Sequence, residues 1–98
     1  MTTTVTSGLP APELLERRLE LHPRVAVRPE PFGALAYHYG TRRLVFLRHP
    51  DVVHVVESLG DHESLEATLR ACDVAESRWP SFVSAIASLH AAEVIRER

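Results

Sequence analysis

Apolar residues in the second half of the chain recur at helical spacing. Val52, Val55, Val56 and Leu59 repeat at i, i+3, i+4 and i+7, the pattern that lines one face of an α-helix. Pro50 suits a first turn, where a missing N–H costs nothing, and Gly60 offers a C′ stop, so a helix is predicted over about 50–59. Asp61 reads as the N-cap of a second helix over about 62–72, with Leu65, Leu69 and Cys72 in one row. Pro80 opens a third helix whose row is Phe82, Ile86 and Leu89, with Val94 and Ile95 expected to pack under its end.

The first half alternates with period two instead. A short strand is predicted over 25–28, closed by Pro29-Glu30-Pro31, whose prolines confine it to a sheet edge. A second strand over 33–39 leads through Gly40-Thr41, a two-residue loop of type II′ with glycine at its first central position, into a third strand over 42–47. Such a loop makes Tyr39 and Arg42 a hydrogen-bonded pair. The N–H groups of Leu44 and Phe46 are then expected to point into the sheet, and those of Arg43, Val45 and Leu47 out of its edge. The same register puts Leu35, Tyr37, Leu44 and Phe46 on one face, the expected core face, and Ala34, Ala36, His38, Arg43, Val45 and Leu47 on the other. A helix over 12–21, carrying Leu15 and Leu19 and ended by His22-Pro23, is a candidate to cover that second face. Residues 1–11, Thr-rich with Gly and Pro, are expected to form a flexible tail ahead of one domain over 12–98. The predicted class is α+β: a three-stranded antiparallel sheet followed by three helices, in the order of a winged helix-turn-helix with its hairpin placed first.

Composition narrows the function. The chain has 98 residues, 45% of them hydrophobic and 24% charged, enough for one core. A formal net charge of -2 gives no general attraction to nucleic acid or to anionic membranes. The helix-turn-helix order makes a DNA-binding transcriptional regulator the main alternative class, yet the third helix has no Arg, Lys, Asn or Gln between Ser81 and Ala92 to read bases or hold phosphates. The basic residues lie near the hairpin, at Arg28, Arg42, Arg43 and Arg48. The amino terminus has no secretory pattern and no stretch is long and apolar enough to span a bilayer, so the cytoplasm is the expected compartment.

Chemistry is sparse. The single cysteine, Cys72, falls in a helical row and is expected to be buried. None of the six histidines belongs to a metal-ligand spacing, and the four glycines are scattered rather than gathered in a phosphate-cradling loop. No serine stands in a nucleophile setting. The expectation is therefore no enzyme, no metal and no cofactor. The strand over 42–47 has a free edge, to which an extended peptide could add, or which its arginines could protect.

The run Val25-Ala26-Val27-Arg28-Pro29-Glu30-Pro31-Phe32-Gly33-Ala34-Leu35-Ala36-Tyr37-His38-Tyr39-Gly40-Thr41-Arg42-Arg43-Leu44 resembles the mycofactocin biosynthesis chaperones of the PqqD-like precursor-recognition family. The likeness continues through Leu47, Asp61-His62 and the last helix with Ile95, over roughly residues 15–95. The resemblance implies a winged-helix domain that binds the leader of a ribosomally made precursor peptide, often as a strand added beside the third strand and against the third helix. It also implies a partner, a radical S-adenosylmethionine maturase acting on the precursor's carboxy-terminal Val-Tyr. That enzyme's iron–sulfur chemistry needs several thiolates, and this chain has only Cys72. The binding residues expected on this basis are Arg42, Arg43, Leu44, Val45, Phe46 and Leu47 on the strand, with Phe82, Val83 and Ile86 on what is taken as the exposed side of the third helix. Leaders in such families tend to be acidic, which would suit Arg42, Arg43 and Arg48.

Overall fold

The computed structural model describes residues 11–98, so the tail expected over 1–11 lies outside the described residues except for Ala11. Ala11 opens α1 (Ala11–Leu14), a single turn. The helix expected over 12–21 ends there. Turn bonds from Glu16 N–H to the Glu13 carbonyl and from Arg17 N–H to the Leu14 carbonyl close it, and the chain becomes extended in β1 (Leu19–Leu21). Leu19 is buried while Glu20 and Leu21 are half-buried. The partner of β1 is β5 (Ile95–Glu97), in the register Leu19 to Glu97 and Leu21 to Ile95. Leu15 and Leu19 fit a helical row and Leu19 and Leu21 fit a strand, and a partner some 75 residues away decides between them.

The larger sheet has the order β2 (Val25–Glu30), β3 (Gly33–His38) and β4 (Leu44–Leu47), all antiparallel. β2 runs on through Pro29, which pairs with Ala34; proline is tolerated there because β2 is an edge strand. The β3–β4 register is the expected one, Leu35 opposite Phe46 and Tyr37 opposite Leu44. The turn that sets it is different. His38 N–H donates to the Arg43 carbonyl at 2.9 Å and Arg42 N–H to the His38 carbonyl at 2.7 Å, so the loop is four residues, Tyr39 to Arg42. The positive φ falls on Arg42 (64°), not on Gly40. His38 closes the loop from inside, its Nδ1 accepting from the N–H groups of Gly40 at 3.0 Å and Thr41 at 3.1 Å. Gly40 is needed for space: a Cβ there would stand 2.9 Å from the His38 ring.

That closing bond reverses the hydrogen-bonding phase. With His38 and Arg43 as a bonded pair, alternation makes Ala36 with Val45 and Ala34 with Leu47 the next bonded pairs. Val45 and Leu47 therefore point their N–H groups into the sheet, and Leu44 and Phe46 point theirs outward, opposite to the assignment from a two-residue loop.

The core face is also the opposite one. Ala34, Ala36, His38 and Leu47 are buried and Val45 half-buried, while Leu44 and Phe46 remain 53% and 51% exposed. The buried face receives the helices, beginning with α2 (Pro50–Ser58), which follows β4 after two residues and packs back on β3. Small alanines let a helix approach a sheet closely, so side-chain size alone misassigns the face.

After α2 the chain makes a 3-10 turn, Leu59–Asp61, in which Gly60 has no positive φ. α3 (Leu65–Ala71) starts later than expected: its N-cap is Ser64, whose hydroxyl accepts from Ala67 N–H at 3.0 Å, rather than Asp61. The carbonyls of Arg17 and Leu15 accept from the N–H groups of Leu65 and Glu66, satisfying two donors that a helix start leaves free. α4 (Trp79–Ala91) has Pro80 in its first turn, as expected. Val94 and Ile95 are buried, and Ile95 is the first residue of β5. Cys72 is half-buried against the core. Leu14, Leu19, Val55, Leu65, Leu69 and Ile86 are among the fully buried side chains at the centre.

Candidate functional site

β4 is an edge strand in the described sheet, paired with β3 on one side only. Beside its free edge lies a cleft of about 300 Å³, bounded by Val45, Phe46, Leu47, Arg48, His49, Val52, Ala85, Ser88 and Leu89. One wall is β4, the floor is Val52 of α2 and the other wall is α4. A second hollow of about 350 Å³ shares His49, Val52 and Ala85 and adds Arg78, Ser81 and Phe82, so the two run together as a trough along α4. The trough exists because Ser81, Ala85 and Ser88 recur at i, i+4 and i+7, placing short side chains opposite the strand. Larger hollows of about 630 Å³ and 600 Å³ lie away from β4, around His62 and around Trp79, and neither borders a free strand edge.

The expected site residues divide. Val45 and Leu47 line the cleft with their side chains. Leu44 and Phe46 carry the outward backbone groups and turn their side chains to the solvent face of the sheet. Arg42 and Arg43 are exposed at the hairpin tip. Phe82, Val83 and Ile86 are not on an exposed side: they are 3%, 5% and 0% exposed. Phe82 only edges the trough, Val83 borders the hollow on the other flank of α4, and Ile86 lies in the core. The row Phe82, Ile86 and Leu89, at i, i+4 and i+7, is buried, and the row next to it faces the strand. Sequence reasoning missed Ser81, Ala85, Ser88, Val52 and His49. The signal for the first three was the run of small residues on a helix otherwise rich in large apolar ones.

The electrostatics of the rim are positive. Arg48 lies 5.5 Å from the centre of the Phe46 ring. Among the described residues, the ion pairs engage Arg17, Arg28, Arg70, Arg78 and Arg96 and leave Arg42, Arg43 and Arg48 without a carboxylate. Also among the described residues, no three His, Cys, Asp or Glu side chains gather as metal ligands, and no helix is long and apolar enough to cross a membrane. The arrangement offers backbone donors and acceptors, an apolar trough and cations. Those are the means of holding an extended chain.

The family model for the peptide chaperone MftB family matches residues 18–96. This chain belongs to that family. The peptide chaperone MftB of Mycobacterium ulcerans is 46% identical over 74 residues, 76% of this chain and 68% of that protein. Its counterpart in Mycolicibacterium smegmatis is 51% identical over 69 residues, 70% of this chain and 68% of that protein. The peptide chaperone MftB of Mycobacterium tuberculosis is 39% identical over 83 residues, 85% of this chain and 76% of that protein. No solved structure matches the chain. A member of this family is a peptide chaperone, a non-catalytic role. The matched span runs from just before β1 to within β5, so it includes both walls of the cleft.

Proposed function

We propose that this peptide chaperone holds the leader of the mycofactocin precursor as an added strand on β4 and presents it to a radical S-adenosylmethionine maturase. One observation carries the reading: in a chain of the MftB family, the free edge of β4 borders the apolar trough at α4. Leader main chain would pair with the outward groups of Leu44 and Phe46, and alternate side chains would enter the trough over Val45, Leu47 and Ala85. Main-chain pairing supplies affinity and the trough supplies selection. Arg42, Arg43 and Arg48 would speed encounter with an acidic leader. The cofactor chemistry belongs to the maturase, and the chaperone contributes binding alone.

The order of sheet and helices supports a winged-helix domain of PqqD-like type over residues 12–98, and the cytoplasm remains the expected compartment. A DNA-binding role has no support among the relatives. Calorimetric titration with the synthetic leader, beside an equal titration with duplex DNA, tests the function. Saturable one-to-one leader binding with no DNA binding is expected. Saturable DNA binding without leader binding would overturn the proposal.

A further inference from the structure

The solvent face of the β2–β3–β4 sheet is unusual for a surface. Phe32, Tyr39, Leu44 and Phe46 are 42%, 59%, 53% and 51% exposed, and Leu35 and Tyr37 are half-buried between them. Phe32 packs on Phe46 with ring centroids 5.8 Å apart, and Tyr37 on Tyr39 edge to face at 5.1 Å. With the cross-strand neighbours Leu35–Phe46 and Tyr37–Leu44, these contacts make one contiguous apolar patch, the kind that marks an interaction site. Nothing in leader binding at the β4 edge uses Phe32, Leu35, Tyr37 or Tyr39.

We infer that this face is a docking surface for the maturase, separate from the trough that takes the leader. Two observations select the occupant. First, the face is continuous with the peptide edge, because the Leu44 and Phe46 side chains lie on it while their backbone groups point to the added strand. A protein seated on the face would touch the captured peptide without competing for its hydrogen bonds. This continuity rests on the reading that the leader adds to β4.

Second, the rim is cationic. Arg48 lies over the Phe46 ring and Arg28 stands opposite Leu35 on the same face. Glu30, held by Arg28 at 2.7 Å, is the one acidic residue between Arg24 and His49, in a chain whose net charge is -2. A second copy docked through the same face would bring one basic rim against another. A partner with an apolar surface rimmed by Asp and Glu would not meet that repulsion. The charge therefore favours a different protein over self-association.

The double variant Phe32→Ser/Tyr39→Ser tests this, since both residues sit outside the strand ladders and at opposite ends of the patch. Affinity for a purified mycofactocin radical S-adenosylmethionine maturase is measured with and without leader, beside leader affinity alone. Maturase binding should weaken tenfold or more while leader affinity stays within twofold of wild type. If thermal unfolding shows that the double variant does not fold, Arg28→Glu decides instead. It reverses a side chain 73% exposed on β2, across the sheet from the peptide edge, and should weaken the maturase several-fold at low salt. Maturase affinity within twofold of wild type in a folded variant would overturn the inference, including the case where the variant only abolishes self-association seen by sedimentation. If wild type binds maturase but no leader and the variants lose the maturase, the docking surface stands and the leader reading falls.

Discussion

Leu44 turns its N–H away from β3 and Val45 turns its N–H toward it, because the loop closes on the His38–Arg43 pair. Proline should therefore be tolerated at position 44 and damaging at position 45. Leu44→Pro is expected to remain folded while weakening the leader about tenfold or more. It loses one intermolecular hydrogen bond, roughly 0.5–1.5 kcal/mol, and leaves a peptide carbonyl unpaired at about 1–3 kcal/mol. Val45→Pro should lower the unfolding temperature instead, by breaking a ladder bond to Ala36. Thermal unfolding and calorimetry on the two variants would decide between this phase and its opposite. The pairing register was legible in the spacing around Gly40, but the phase was not, since it depends on the His38 imidazole closing a longer loop. A second residue-scale prediction concerns His22, whose pKa is held below the ordinary 6.5, first by desolvation and then by the neighbouring His38. The unfolded chain then binds a proton at this site more readily than the folded one. Stability is unaffected by the group well above pH 6.5 and falls as the pH drops below it. His22→Asn should flatten that decline, read as the unfolding midpoint in urea between pH 7.5 and pH 5.

At the scale of elements, α3 separates a sequence signal from a working cap. Asp61 and Ser64 are both good N-cap types, and only the structure assigns the role, through the Ser64 hydroxyl on Ala67 N–H. Ser64→Ala should cost about 1 kcal/mol, measured by chemical denaturation, whereas Asp61→Ala should be close to neutral. Equal losses would put the helix start back at the earlier position. The strongly periodic helices α2 and α4 were legible because their apolar rows span two or more turns. β1 and β5 were not. Each is three residues long, too short for a period to emerge, and each is defined by the other across nearly the whole chain. The face of the large sheet was misread because Leu35, Tyr37, Leu44 and Phe46 look like core by volume, while Ala34 and Ala36 are the residues a close-packed helix needs.

Across the whole molecule, one sheet serves two surfaces at right angles: an edge that meets α4 through a trough, and an apolar outer face. The edge strand was legible in the sequence. Its other wall was not, because the buried row of α4, Phe82, Ile86 and Leu89, is more conspicuous than the adjacent Ser81, Ala85 and Ser88. If the trough takes leader side chains, filling it should abolish binding without touching the core. Ala85→Arg, at a half-buried position lining both parts of the trough, is expected to weaken the leader by tenfold or more with little change in unfolding temperature. An unchanged affinity in that variant would move the peptide away from α4.

Strand addition itself is tested most directly by backbone amide exchange. In the free protein the N–H groups of Leu44 and Phe46 face away from β3 and should exchange quickly, while those of Val45 and Leu47, bonded within the ladder, should exchange slowly. At saturating leader, exchange at Leu44 and Phe46 is predicted to slow by tenfold or more, leaving Val45 and Leu47 protected as before. Saturated leader binding with exchange at Leu44 and Phe46 unchanged would contradict the account.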